Sequence, residues 1–145
     1  MACLFFGIFT YRNRLRRSIP RRTLPEEGDE SFSRYFGLGR ALRTPAEDLV
    51  KALRHNQVLM HSAVMGELAC GTLKNRVRFL AGLALLPFVE EATPSVVMEF
   101  MERHNLPGRG LGWGDMQLLA SAKLSDAKLL SRDRRLSKIG MSLLI

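Results

Sequence analysis

Thiols are scarce in this chain. Cys3 and Cys70 are its only cysteines, and they stand too far apart to form a metal or redox motif. A reduced, cytoplasmic protein is the reading that follows. Histidine is nearly as sparse, and His55, His61 and His104 lack the spacing of metal ligands. No Ser-His-Asp or Cys-His arrangement stands out as a route to nucleophilic catalysis. No apolar stretch is long enough to cross a bilayer: Met1–Thr10 is apolar but short. The arginines at positions 12, 14, 16 and 17 follow that stretch instead of preceding it, so no export signal is expected. There is no internal repeat.

What is present in excess is positive charge. The 145 residues carry a net charge of +8, which points to a polyanionic partner, nucleic acid first and an anionic membrane second. The excess is uneven. Residues 1–42 hold eight arginines, no lysine and four acids, and they lack any sustained helical or strand period. Only the apolar run Cys3–Phe9 reads as a strand there. The rest of that segment has the composition of loop or disorder.

From Arg43 onward, regular elements follow one another. Thr44–His55 reads as a helix with Thr44 as N-cap and Pro45 in the first turn. Gln57–Met60 is a short buried strand, and a helix opens at Ser62. A second helix runs toward Pro87, with a short strand at Phe88–Ala92. Thr93 and Pro94 start another helix, which ends near Asn105. The glycine-rich loop Pro107–Gly114 precedes a helix that has Asp115 in its first turn. Ala127–Ser131 is a strand, Arg132–Gly140 a short helix closed by Gly140, and Met141–Ile145 a final strand. Short strands alternating with helices predict an α/β layer fold with a mostly parallel sheet.

Three acids fall where such a sheet gathers them: Glu67 in a helix after a strand, Asp115 at a helix start, and Asp133 directly after a strand. Ligands of open α/β sheets bind at the carboxyl ends of the strands, so acids from distant positions converge there. Converging carboxylates repel one another unless a hard cation neutralises them. Mg2+ or Mn2+ suits oxygen ligands and can activate water for phosphodiester cleavage. Each acid also has a structural reading: Asp115 as first-turn helix charge and Asp133 as an N-cap. Glu67 sits among apolar residues, where an unpaired buried carboxylate is costly, and this favours function. The loop Pro107–Gly114 is not a P-loop, because no Gly-Lys-Ser/Thr follows it. Trp113 reads as a core or rim residue.

These residues resemble the PIN-domain ribonucleases of the VapC toxin type. The block Val58–Arg76 is similar to that family's second acidic block, with its glutamate at Glu67. Leu106–Leu136 is similar to the later blocks, with their acids at Asp115 and Asp133. The resemblance covers about residues 43–145. It implies a three-layer α/β/α sandwich and a Mg2+- or Mn2+-dependent endoribonuclease, in which Glu67, Asp115 and Asp133 hold the metal or position the attacking water. It further implies a homodimer and a toxin held inactive by a VapB-like antitoxin. Arg76, Arg109, Arg132 and Arg134 become candidates for RNA phosphate contacts, or else form a solvated charged face.

The resemblance has one gap. The family opens on a strand whose aspartate is a central metal ligand, and this chain has no acid between Ser31 and Thr44. Back-translation of Asp29–Leu42 with free codon choice, read one nucleotide out of frame, can spell Met-Lys-Val-Leu-Val-Asp-Thr-Ser-Val-Trp-Val-Glu-His-Leu. That is an ordinary start for the family, and it rejoins the present frame near Arg43. Residues 1–42 are therefore read as an out-of-frame, non-family segment and residues 43–145 as the domain, with its first strand absent or replaced. The alternative is a non-catalytic remnant that binds RNA or antitoxin. A third reading takes residues 1–42 as an arginine-rich arm for RNA or an anionic membrane. Resequencing the gene across the codons for Asp29 to Arg43 is expected to reveal a single-nucleotide change that restores the aspartate-bearing strand. An unchanged sequence in independent isolates would mark a decayed locus instead.

Overall fold

Val58, Leu59 and Met60 form an apolar run that is buried throughout, as a strand covered on both faces requires. The computed structural model describes residues 9–12, 52, 55, 57–72 and 75–144. Within them lie three strands and five helices in the order β1 (Phe9–Arg12), β2 (Val58–Leu59), α1 (Ser62–Cys70), α2 (Arg76–Leu83), α3 (Pro94–Arg103), α4 (Trp113–Leu124), β3 (Ala127–Leu130) and α5 (Arg134–Leu143). The expected helix at Thr44–His55 lies outside the described residues, apart from Ala52 and His55. So do the acid-free stretch Ser31–Arg43 and nearly all of residues 1–42.

The α/β order expected from the sequence is present, but the sheet holds a reversal. Its strand order is β2-β1-β3, and β1 runs antiparallel to both neighbours. Thr10 and Tyr11 pair with Leu59 and Val58, while Phe9 to Arg12 pair with Leu130 to Ala127. Since β2 and β3 each oppose β1, they point the same way. A parallel bridge from Met60 to Phe88 extends this co-directional set, held by Met60 N–H to the Pro87 carbonyl and Val89 N–H to the Met60 carbonyl, both at 2.8 Å. The parallel expectation thus holds for β2, β3 and the Phe88 bridge and fails for β1.

The physical reason lies in the empty position between β2 and β3. Strand edges left unpaired inside a sheet cost about a hydrogen bond's desolvation per group, ~1–3 kcal/mol each. The sequence Phe-Thr-Tyr-Arg has strong strand propensity. An antiparallel ladder is at least as stable per residue as a parallel one, so a segment entering in reverse satisfies the same groups. The strand lies at the end of the apolar run Cys3–Phe9 and continues beyond it.

Alternation along β2 sends Val58 and Met60 into the main core and Leu59 into a smaller cluster with Val89 and Ala127. The main core joins Val64 and Leu68 of α1, Phe79 and Leu83 of α2, Val97 and Phe100 of α3, and Leu119 of α4. The central helix is α4, in which every residue from Leu118 to Ala122 is buried. Helix α3 opens on Pro94 at its first position and stops where Asn105 turns left-handed at φ 50°. The expected strand at Phe88–Ala92 is reduced to the single bridge at Phe88.

The C-terminal expectations need correction. Helix α5 does not close at Gly140, and Met141–Leu143 is helical instead of starting a strand. Gly140 is there for packing. A Cβ on it would lie 3.6 Å from Leu129 of β3 and 3.7 Å from Leu119 of α4. Leu136 and Gly140 form the buried stripe by which α5 sits on β3 and α4. Because those distances are ordinary van der Waals contact and a helical glycine is entropically unfavourable, Gly140→Ala is expected to raise stability by about 0.5–1 kcal/mol. Gly140→Leu is expected to lower it by ~1–3 kcal/mol through overpacking. Urea unfolding of both variants beside the parent checks this.

Candidate active site

The turn Ser125–Asp126 returns the chain from α4 into β3, so the two run in opposite directions side by side. The start of α4 therefore lies at the edge where β3 ends. That edge also holds the carboxyl end of β2, because β2 and β3 are co-directional. Asp115 is in the first turn of α4, and Asp133 follows β3 after two residues. Asp115 and Asp133, carried by different segments, thus come to one edge.

Asp115 is half-buried. Its Oδ2 accepts a hydrogen bond from the Gly112 N–H at 2.9 Å, which closes the helix start. Burial holds its carboxyl above the usual carboxylate range; the Gly112 bond pulls the other way, and the negative charge of Asp133 pushes it further up. Asp133 is the N-cap of α5, with Oδ1 accepting from Arg135 N–H at 2.8 Å and Leu136 N–H at 2.9 Å. The structural readings of both acids are thus realised, and the two are also electrostatic neighbours. Glu67 differs from expectation. It lies in the second turn of α1 and is exposed, so the argument from a buried carboxylate does not apply to it.

Among the arginines expected to meet RNA, Arg76 is tied down. Its Nε and Nη2 donate to the Ala69 carbonyl at 2.9 and 2.8 Å, capping the end of α1. Arg109, Arg132 and Arg134 are exposed. Trp113 is 45% exposed at the start of α4, a rim position.

A polar cluster that the sequence did not reveal lies beside β2. His61 is only 3% exposed and caps α1, its Nδ1 accepting from Ala63 N–H at 3.0 Å. Nε2 then carries the proton and donates to Ser121 Oγ at 3.1 Å, which also accepts from Ala92 N–H at 2.9 Å. Glu91 accepts from the Ser62 N–H at 2.8 Å and the Ser62 hydroxyl at 2.7 Å. Burial lowers the His61 pKa, with Glu91 opposing. For Glu91, burial pushes upward, but the two Ser62 bonds and His61 outweigh it and hold its carboxyl low. The cluster ties α1, α4 and the segment before α3 together. The only sequence signal was a histidine directly before a helix.

Nothing among the described residues brings three or more of His, Cys, Asp and Glu together as a metal-holding group. Among the described residues, Asp115 and Asp133 are the carboxylates placed at this edge. The strand between β2 and β3 adds none, since neither Phe9–Arg12 nor the eight residues before it contain an acid. Mg2+ keeps several waters and is commonly held by one or two carboxylates, so this donor set stands at the low end of what such an ion takes. Among the described residues, no third metal-ligating side chain joins the pair.

A family model described as PIN domain matches residues 31–141. The chain is 38% identical over 96 residues to Ribonuclease VapC32 of Mycobacterium tuberculosis, in strain CDC 1551 / Oshkosh and in strain ATCC 25618 / H37Rv alike. The match covers 66% of this chain and 77% of each relative. No solved structure matches. No helix among the described residues is long and apolar enough to cross a membrane.

A raised carboxyl contributes stability that is full below the unfolded carboxylate range and is lost as pH rises through the folded value. In metal-free buffer, Asp115→Asn keeps an acceptor for Gly112 and removes the charge. It is expected to raise the melting temperature at pH ~7 by a few degrees, with the advantage gone at pH ~3, where unfolded aspartates are protonated too. Thermal melts at the two pH values check this.

Proposed function

Because the chain belongs to the PIN-domain family, we propose that it is a VapC-type toxin ribonuclease whose metal centre is incomplete in the sequence as given. PIN-domain ribonucleases generally depend on a divalent metal. In the in-frame form the ion would be Mg2+ or Mn2+, held by the restored strand's aspartate with Glu67, Asp115 and Asp133. The single observation that supports the assignment is the meeting of Asp115 and Asp133 at the carboxyl edge of the sheet, close enough for one charge to shift the other.

The remaining parts of the reading follow from the family. The substrate is RNA. The partner is a VapB-like antitoxin, the form is a homodimer, and the location is the cytoplasm. The site residues carried by the resemblance are Glu67, Asp115 and Asp133, with Arg109, Arg132 and Arg134 as RNA contacts. Arg76 is the weakest of the four arginines, since its guanidinium is engaged by the Ala69 carbonyl.

A second reading is favoured by the acid-free central strand: a remnant that binds RNA or antitoxin without cutting. Cleavage of a labelled RNA separates the two. The chain as given is expected to show no Mg2+-dependent cleavage above background. The same chain with residues 29–42 replaced by the in-frame strand is expected to cleave, and to lose at least ~100-fold on Asp115→Ala. Mg2+-dependent cleavage by the chain as given, abolished by Asp115→Ala, would overturn the incomplete-centre reading. Failure of the restored chain to cleave would favour the remnant.

A further inference from the structure

One arginine outside the expected set occupies an unusual seat. Arg135 lies in the first turn of α5, and its backbone N–H donates to Asp133 Oδ1 at 2.8 Å. Its side chain crosses to the glycine-rich loop. A Cβ placed on Gly110 would fall 2.5 Å from Arg135 Nη1 and 3.5 Å from its Cζ. The guanidinium therefore rests on the α-carbon of a residue with no side chain. Gly110 also has φ +74°, so backbone conformation and the close approach both call for glycine.

Two residues on, the N–H of Gly112 in the same loop holds Asp115. Arg135 is thus fixed to Asp133 through its backbone, and its guanidinium lies on the loop that anchors Asp115. The residue is exposed, and among the described residues its guanidinium forms no salt bridge. An exposed arginine ordinarily keeps much rotamer freedom. This one is seated against backbone at the rim of an acid pair, with no salt bridge to any described acid. A planar guanidinium presents paired donors suited to phosphate oxygens.

We propose that Arg135 is a phosphate-binding residue of the acidic edge, seated by Gly110, that holds the backbone of a single-stranded RNA beside Asp115 and Asp133. The proposal rests on the ribonuclease reading and deepens it. Of the arginines expected from sequence, Arg76 is spent on capping α1; the guanidinium of Arg135 lies on the loop that anchors Asp115.

The test is fluorescence anisotropy of the full chain with a labelled single-stranded RNA of mixed sequence, in EDTA so that binding is read without cleavage. Arg135→Ala is expected to weaken binding about tenfold at low salt and to reduce the slope of log K against log salt by about 0.7, one phosphate contact on a single strand. Arg135→Lys restores part of the affinity, keeping the charge and losing the fork. Gly110→Ala leaves the charge but fills the seat, and it weakens binding too. Arg103→Ala, on α3 and paired with Glu99, leaves binding unchanged. Parent-like affinity and slope in Arg135→Ala overturn the proposal and leave the ribonuclease reading standing, whatever Gly110→Ala does. A parent chain that binds no RNA overturns both.

Discussion

Two short strands that point the same way leave a gap that a third must fill, and the rest of this structure depends on how that gap is filled. Because β2 and β3 are co-directional, their carboxyl ends share an edge, and Asp115 and Asp133 meet there. Because they are not adjacent, a strand has to lie between them to satisfy their facing backbone groups. In this chain that strand is Phe9–Arg12, running in reverse. It satisfies the hydrogen bonds and so preserves the scaffold. It contributes no carboxylate, and so it leaves the chemistry short. Fold and function are thus separated at one strand: backbone pairing accepts any extended segment, whereas metal ligation needs a particular side chain at a particular end.

The remaining architecture explains why the acid pair survives without that ligand. Asp115 is held by the Gly112 N–H, and Asp133 by two N–H groups of α5. Both are anchored by the helix starts they cap, independent of any ion. The helices carrying them are locked to β3 by tight packing: α4 is buried from Leu118 to Ala122, and α5 meets β3 at Gly140. The His61–Ser121 cluster joins the start of α1 to α4, so the element bearing Glu67 is fixed relative to the one bearing Asp115. Glu67 itself is exposed.

Much of this was legible in the sequence, for identifiable reasons. Pro94, the run Val58–Met60 and the acids at helix starts are local signals, and the elements they mark are present. Asp133 and Asp115 were readable because their spacing after a strand and before a helix is set by α/β topology. What failed depended on tertiary contacts. Gly140 reads as a helix stop, yet it lies inside α5 and packs against Leu129 of β3. Glu67 reads as buried from its apolar neighbours, yet helical phase turns it outward while Val64 and Leu68 point in. Arg135 was indistinguishable from Arg132 and Arg134, because its approach to Gly110 is a tertiary contact. His61 carried no pattern, since its partners are 30 and 60 residues away. The reversed β1 was not legible either, because strand direction is decided by the gap and not by the segment.

The strand between β2 and β3 brings no carboxylate to the acid edge and leaves, among the described residues, two anchored acids there with no third metal-ligating side chain. Titration of Mn2+ into the full chain, followed by the paramagnetic resonance of free Mn2+, tests it directly. The account predicts no saturable binding below millimolar metal. A stoichiometric site of micromolar affinity, abolished by Asp115→Asn, would contradict it.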